Sequence, residues 1–270
     1  MKLLSSKTLI FLSILIEGSI YAISCKHDDE LPPPPATTGP VITRGTNIHL
    51  PGNMTVANTA EWKLDKTHSS ALWQTNYVGA AGLLTGRFNQ FGMHDITDSK
   101  MLNYVTAGQP LKDSSWAFYE NEPTKTYFNG YVQINTSNTG EPGRDVGCNV
   151  AGMNTVAIVA GTQNLTMVNL AKIKTTKVEF DALSNDYIVT MNLVWHGSTV
   201  GGVTPAPVSK SVVGRLKYIP KSKVQFGTAA AYEVFGLQLK FQFNCRDFEI
   251  KSTSISDVLE IECNMNFNNK

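Results

Sequence analysis

The chain has 270 residues, a formal net charge of +1 and 42% hydrophobic residues. Charged residues make up 17% of it, below the roughly 25% of an average globular protein, and no Lys/Arg-rich block occurs, which argues against nucleic-acid binding through electrostatics. The composition also excludes a disordered chain, and the length suits one large domain or two small ones.

Residues 1–24 are predicted to be a secretory signal peptide. Lys2 and Lys7 form a basic n-region, and the apolar run 9–16 is far shorter than the roughly 20 residues that span a bilayer. The run leads to residues 22–25 (AISC), which resemble a bacterial lipobox. Cys25 is therefore the predicted lipidation site and mature N-terminus. The alternative is ordinary signal cleavage beside an incidental cysteine.

Residues 25–60 are predicted to be a lipidated N-terminus followed by a Pro-rich tether. The charged run 26–30 (KHDDE) resembles the acidic stretch behind the lipidated Cys of some Bacteroidetes lipoproteins. Residues 31–40 (LPPPPATTGP) favour polyproline II, a semi-rigid spacer, and Asn47 to Leu50 could add an edge strand. We therefore expect an outer-membrane lipoprotein of the bacterial cell envelope, periplasmic or surface-exposed, with a folded domain over residues 61–270.

Period-two alternation of apolar and polar residues dominates the predicted domain. It predicts strands over 71–77, 187–193, 237–245 and 259–267, and shorter ones over 128–134 and 178–182. Helical periodicity is convincing at most in 150–172, where Gly152 and Gly161 weaken it. Strands with one apolar face must close or stack to bury that face. The fold class is therefore all-β, with one antiparallel barrel or sandwich, one short helix and enlarged loops.

Two cysteines lie on the inward face of consecutive predicted strands. A hairpin centred on Ser254 would place Cys245 directly opposite Cys263, within disulfide reach. We therefore predict a Cys245–Cys263 disulfide, and the alternative is two buried free thiols. No cysteine and histidine spacing suggests a metal site.

Four segments, in order, resemble the signatures of the YceI-like family and span about residues 61–267. The first is 62–73 (WKLDKTHSSALW) with 85–92 (TGRFNQFG), and the second is 132–138 (VQINTSN) with the pair Arg144-Asp145. The third is 193–199 (LVWHGST) and the fourth is 243–248 (FNCRDF). The chain departs from this family in having Tyr77 where many members have His, and in extra length near 95–125 and 200–232 that could cap the barrel or contact a partner.

This resemblance implies a lipocalin-like antiparallel β-barrel that holds a polyisoprenoid, a quinone or a fatty amide or acid in an apolar interior. The chain would then carry or sequester this ligand as its partner, with a lipid anchor to the membrane; a homodimer is left open, and no further cofactor is expected. Inward strand parity and the family together predict the ligand-lining residues Trp73, Tyr77, Met191, Leu239, Phe241, Phe243 and Met265. The alternative is a filled barrel that acts as a surface module for a protein or glycan.

An enzymatic role is not expected. The five His are scattered, and no His-Glu-x-x-His pair, Gly-x-Ser-x-Gly elbow, P-loop or dinucleotide fingerprint occurs. Asp65, His68 and Ser69 invite a triad interpretation, but triads are recognised by geometry. We expect His68 to hydrogen-bond the backbone, and the Arg144-Asp145 and Arg246-Asp247 pairs to fix loops through charge-assisted hydrogen bonds.

Overall fold

The structure is a computed structural model. It describes residues 47–49, 62–79, 81–99, 116–119, 122–141, 145, 149–150, 153–154, 166–197, 203 and 205–270. The predicted signal peptide, Cys25 and most of the predicted tether lie outside these residues. No helix in the described part of the chain is long and apolar enough to cross a membrane.

The described residues form fifteen strands and four short 3₁₀ helices. The strands are β1 Asn47–His49, β2 Lys63–Leu64, β3 Ser70–Asn76, β4 Leu83–Phe88, β5 Phe91–Gly92, β6 Trp116–Tyr119, β7 Tyr127–Gln133, β8 Ser137–Asn138, β9 Asn149–Val150, β10 Met153–Asn154, β11 Leu170–Asp181, β12 Asp186–Trp195, β13 Val208–Val224, β14 Tyr232–Asn244 and β15 Val258–Asn268. The 3₁₀ helices are Lys66–His68, Pro123–Lys125, Ile134–Thr136 and Cys245–Phe248.

The main sheet is antiparallel and curls until its ends meet. Its central order is β7-β11-β12-β13-β14-β15-β3-β4. Strand β5 continues β4 after two residues and pairs with β7, with Phe91 opposite Val132 and Gly92 opposite Tyr131. This pairing returns the sheet to β7, so the predicted all-β, lipocalin-like antiparallel fold is confirmed.

The alternating segments form the strands that they predict. On β12 and β14 the buried and less buried residues alternate, and the inward residues of all the long strands build one apolar core. An alternating segment has one face in the core and one in water, which is the usual pattern of antiparallel sheets. The core is rich in aromatic side chains, which bury large areas.

The prediction of an enlarged loop over 200–232 is wrong for most of that range. It contains β13, a 17-residue strand that pairs with both β12 and β14. Its inward positions include Val212, Gly214 and Leu216, so alternation was present in the sequence. Gly214 has no side chain and Val213 is an exposed apolar residue, and together they obscure the pattern.

The helix considered over 150–172 is not found in the described residues of that range. Strand β9 pairs with β10 across a short hairpin, and β11 begins at Leu170. Residues 155–165 lie outside the described part of the chain.

Two strands lie in segments predicted as tether and insertion. The predicted edge strand near Asn47 is present as β1, which pairs with β6. Strand β6 in turn pairs with β7, and its residues Trp116 and Phe118 are buried in the core. The described strand of the 95–125 insertion is thus part of the barrel core.

The predicted Cys245–Cys263 disulfide is wrong, and both thiols are free and buried. The pairs Leu239–Cys263 and Phe243–Leu259 centre the β14–β15 hairpin on Lys251, not on Ser254. Strand β14 ends at Asn244, and Cys245 begins a 3₁₀ helix in a wide connection. Cys263 lies opposite Leu239, six residues before Cys245, which separates the two cysteines by roughly 20 Å along the strand.

Candidate functional site

A small apolar cavity lies inside the barrel. Its volume is about 50 Å³. Strand neighbours on β13, β14 and β15 contribute Leu216, Leu239 and Cys263, which lie side by side across the sheet. The wall is completed by Phe88, Phe91, Gly92, Met93, Phe128, Gly130, Tyr131, Val132, Ala171, Lys172, Ile173, Leu193, Trp195, Leu237, Phe241, Ile261 and Met265.

Three of the seven predicted lining residues border this cavity: Leu239, Phe241 and Met265. Three others, Trp73, Met191 and Phe243, are buried in the core but do not border it. Their inward direction was predicted correctly, but the structure does not bring them to the cavity wall. Strand parity fixes the face of a residue and not its height in the barrel.

Tyr77 was predicted to point inward, and this is wrong. It is 38% exposed and lies just beyond the end of β3, where it forms an isolated bridge with Ile255. Its backbone N–H donates to the carbonyl oxygen of Gly82 at 3.0 Å, which makes it part of the turn towards β4. Strand β3 therefore ends one residue before the alternating sequence pattern ends.

Several cavity residues were not predicted. Leu193, Leu237 and Ile261 share the inward parity of strands that the sequence identified, so their alternation was a sufficient signal. Phe91 begins the short strand β5 and Met93 directly follows it, and a strand of two residues gives no periodic signal. Their place in the wall follows only from the closure of the sheet at β7.

One end of the barrel is closed by stacked aromatic rings. The ring centroid of Trp116 lies 4.5 Å from that of Phe267, which stacks on Phe235 at 4.7 Å. Trp62 packs edge-on against Phe235 at 4.8 Å. Strand β6 therefore caps this end, which is one of the two roles considered for the 95–125 insertion.

The other end is closed by the connection between β14 and β15. Arg246 Nε donates to Asp257 Oδ1 at 2.8 Å, and its terminal nitrogens donate to the carbonyl oxygens of Ile250, Ser252 and Ile255 at 2.7–2.9 Å. Arg246 thus fixes the connection as predicted, although its carboxylate partner is Asp257. Arg144, of the other predicted pair, lies outside the described residues.

Phe248 belongs to this connection and is buried over the end of the barrel. Its ring lies 5.1 Å from that of Phe243. Gly197, after β12, passes close to the same connection: a Cβ there would lie 2.9 Å from the Phe248 carbonyl oxygen. A glycine at this position permits the close approach.

Asp65, His68 and Ser69 do not form a catalytic triad. His68 Nδ1 lies 2.8 Å from Asp65 Oδ2, but the Ser69 hydroxyl donates to the Asp65 carbonyl oxygen at 2.7 Å. Ser69 Oγ also accepts the backbone N–H of Asn266 at 2.9 Å. These bonds join the start of β3 to β15. The expected backbone bond from the His68 ring is replaced by the carboxylate bond.

Despite partial burial, hydrogen bonds from His68 hold the pKa of the Asp65 carboxyl below its ordinary value. The charged form of Asp65 is the one that caps the 3₁₀ helix, because its Oδ1 accepts the N–H groups of Thr67 and His68. This cluster is structural.

The Cys263 thiol in the cavity wall is unreactive by its environment. Burial raises its pKa to about 12. The thiolate is the nucleophilic form of cysteine, so the neutral thiol acts here as a small apolar wall group. Among the described residues no group of three or more His, Cys, Asp and Glu side chains could hold a metal.

A larger groove lies on the outside of the sheet and has a volume of about 770 Å³. It runs over the outer faces of β13, β14, β15, β3 and β4. Arg87, Arg215, Lys240, Glu260 and Glu262 are among its lining residues. Lys240 Nζ pairs with Glu262 at 3.0 Å, so part of this charge is internally neutralised.

No protein-family model matches the chain, and no curated protein sequence matches it. Solved structures that are similar to it include the following two. The crystal structure of BcnA from Burkholderia cenocepacia has 11% identity and a TM-score of 0.38, and the match covers 76% of this chain and 99% of BcnA.

The second is a polyisoprenoid-binding domain from Saccharophagus degradans implicated in plant cell wall breakdown. It has 11% identity and a TM-score of 0.37, and the match covers 76% of this chain and 97% of that domain. At these values, function has to be derived from the residues of the barrel itself.

Proposed function

We propose that the barrel interior binds one long-chain apolar ligand: a polyisoprenoid, a quinone, or a fatty amide or acid. The observation that carries this proposal is the cavity inside the barrel, whose wall is almost entirely apolar. A site with this lining removes hydrocarbon from water and offers few polar contacts, which is the chemistry of a carrier or sequestering protein.

Binding requires the cavity to enlarge. Its volume of about 50 Å³ is well below the roughly 300–1,000 Å³ of typical ligand pockets. Met93 and Met265 in the wall are unbranched and change shape readily. We therefore expect wall side chains to rotate as the ligand enters.

The cellular setting is part of the proposal. The signal peptide and Cys25 predicted from the sequence would attach the barrel to a bacterial envelope membrane, where long-chain lipids are available. The Pro-rich segment would hold the barrel away from the membrane surface. We propose an outer-membrane lipoprotein that takes up its ligand beside the membrane that holds it.

The test is lipid extraction and native mass spectrometry of the protein purified from a bacterial envelope. We expect one bound long-chain molecule per chain, or uptake of a long-chain quinone or fatty amide by the extracted protein. Absence of any lipid, together with no binding of quinones or fatty amides, would contradict the proposal.

The second candidate is a surface interaction module that binds a protein or a glycan. The outer groove favours it, because the groove is about fifteen times larger than the cavity and carries charged and amide side chains. Charge reversal by Arg87→Glu with Lys240→Glu should abolish partner binding if this candidate is correct. Lys251→Glu, outside the groove, is the control and should fold and bind the partner. If the double variant also still binds the partner, the groove is excluded as the binding surface.

A further inference from the structure

The indole nitrogen of Trp195 is a buried donor without a hydrogen-bond partner in the described part of the chain. Trp195 is the last residue of β12, is 2% exposed and borders the cavity. Its Nε1 is among the few buried side-chain polar atoms that make no hydrogen bond. Buried polar groups are nearly always paired, so each exception needs a physical reason.

No described residue accepts a hydrogen bond from Trp195 Nε1. Its ring contacts Phe243 at 5.2 Å and Phe88 at 6.2 Å between centroids, and neither ring carries a lone pair. Trp73 provides the contrast, since its Nε1 donates to Ser137 Oγ at 2.8 Å. The indole N–H can only donate, so the missing group at Trp195 is an acceptor.

We propose that Trp195 Nε1 donates a hydrogen bond to a neutral carbonyl oxygen of the apolar ligand, as in a ketone, quinone or ester. This inference rests on the proposed binding function and specifies its ligand class. It makes Trp195 a specificity residue that favours a carbonyl-bearing chain over a hydrocarbon of equal length, because only the former satisfies the buried donor.

A carboxylate is disfavoured at the same place. Lys172 is the one cationic residue among those that border the cavity, and its Nζ donates to the Ile96 carbonyl oxygen at 3.0 Å. With the Lys172 ammonium held at the Ile96 carbonyl oxygen, a carboxylate in the cavity would meet neutral unpaired groups, the Trp195 indole and the Tyr131 hydroxyl, which do not repay the loss of water. The ligand head is therefore neutral.

The test uses ¹H–¹⁵N spectra of the folded chain, in which each of the four Trp gives one indole signal. The probes are 2-heptadecanone, heptadecane and heptadecanoate, added separately. We expect the ketone to shift the Trp195 Nε1–H proton downfield, while heptadecane leaves it in place. The Trp73 signal is the internal control, since its donor already has a partner.

Affinity gives the second readout. Trp195→Phe should bind 2-heptadecanone about tenfold more weakly and heptadecane equally well, since only the hydrogen bond is removed. The wild type should bind heptadecanoate at least tenfold more weakly than the ketone. If Trp195→Phe does not fold, the Trp195 signal is assigned by elimination. Each of the other three indole signals is identified by its loss in one variant: Trp62→Phe, Trp73→Phe or Trp116→Phe.

The outcomes separate this inference from the proposed function. If the ketone and heptadecane bind with equal affinity and the Trp195 signal does not move, the proposed role of Trp195 is overturned. The proposed binding function would be unaffected by that result. A Trp195 N–H that contacts the same bound water before and after ketone addition would also overturn it. Tighter binding of heptadecanoate than of ketone would refute a neutral head. No binding of any probe would count against the binding function itself.

Discussion

Arg246 shows how one side chain holds an irregular connection in a fixed shape. Its planar guanidinium bonds one carboxylate and three backbone carbonyl oxygens between residues 250 and 257. Lysine carries the same charge but lacks the fork that reaches several acceptors at once. The connection covers one end of the barrel, so its stability and the closure of the core are linked.

We predict that Arg246→Lys lowers the free energy of unfolding by about 2 kcal/mol, since several carbonyl groups lose their donors. Urea unfolding followed by tryptophan fluorescence measures this loss. Arg87→Lys is the matched control, because Arg87 is exposed on the outer face. Equal midpoints for the two variants would show that the Arg246 bonds contribute no net stability.

Cys263 makes stability depend on pH in the alkaline range. Its pKa rises from 9.0 to about 12 on folding, because burial disfavours the thiolate. A raised pKa contributes stability that is complete below pH 9 and is lost as the pH rises towards 12. At pH 10 the loss from this group is about 1.4 kcal/mol relative to neutral pH.

The measurement compares the wild type with Cys263→Ala by urea unfolding at pH 8 and pH 10. Other groups titrate in both proteins, so the difference between them isolates Cys263. We expect the wild type to lose about 1.4 kcal/mol more than the variant. An unchanged difference would mean that the thiol is accessible to water in the folded barrel.

At the scale of elements, the register of β13 and β14 can be tested at Gly214. A Cβ there would lie 2.8 Å from the Lys240 carbonyl oxygen and 3.0 Å from Phe241 Cβ, both on the neighbouring strand. Gly214→Ala should therefore lower the free energy of unfolding by about 1–3 kcal/mol, because the backbone of β14 must move.

Gly82→Ala is the control for this prediction. No atom lies within 4 Å of a Cβ at Gly82, so its effect should stay within about 0.5 kcal/mol. Thermal unfolding of the two variants and the wild type measures these losses of stability. If Gly214→Ala is as stable as Gly82→Ala, the pairing of Gly214 with Phe241 is incorrect.

The sequence predicted the elements that carry strong alternation and missed those without it. Strands β12, β14 and β15 were predicted because polar and apolar residues alternate along nearly their whole length. Strand β13 was missed because a buried glycine and an exposed valine interrupt that pattern. Strand β5 has two residues, and only the long-range closure of the sheet shows that it belongs to the barrel.

The cysteines mark the limit of such reasoning. The facing directions of strands β14 and β15 were correct, but their register depends on the length of the turn, which the Arg246 connection sets. A shift of the hairpin centre by three residues removes the predicted disulfide. The shape of the cavity could not be predicted either, because the alternation of a strand shows which side chains face inward but not how they pack against one another.

At the scale of the whole molecule, we propose that the barrel interior is a binding site with a small resting cavity. Stacked rings close one end and the Arg246 connection closes the other. The space between them is apolar and is bordered by Cys263 and Leu239. Replacing Cys263 by leucine would fill this space without adding a polar group, and so should block the ligand while preserving the fold.

The decisive measurement is the binding of a long-chain ubiquinone, titrated into the wild type, Cys263→Leu and Lys240→Leu. Lys240 is on β14 next to Leu239 but faces outward, so it controls for added apolar surface. We predict binding of one quinone per chain by the wild type and by Lys240→Leu, and at least tenfold weaker binding by folded Cys263→Leu. Equal binding by all three proteins would place the ligand outside the barrel interior and contradict the account.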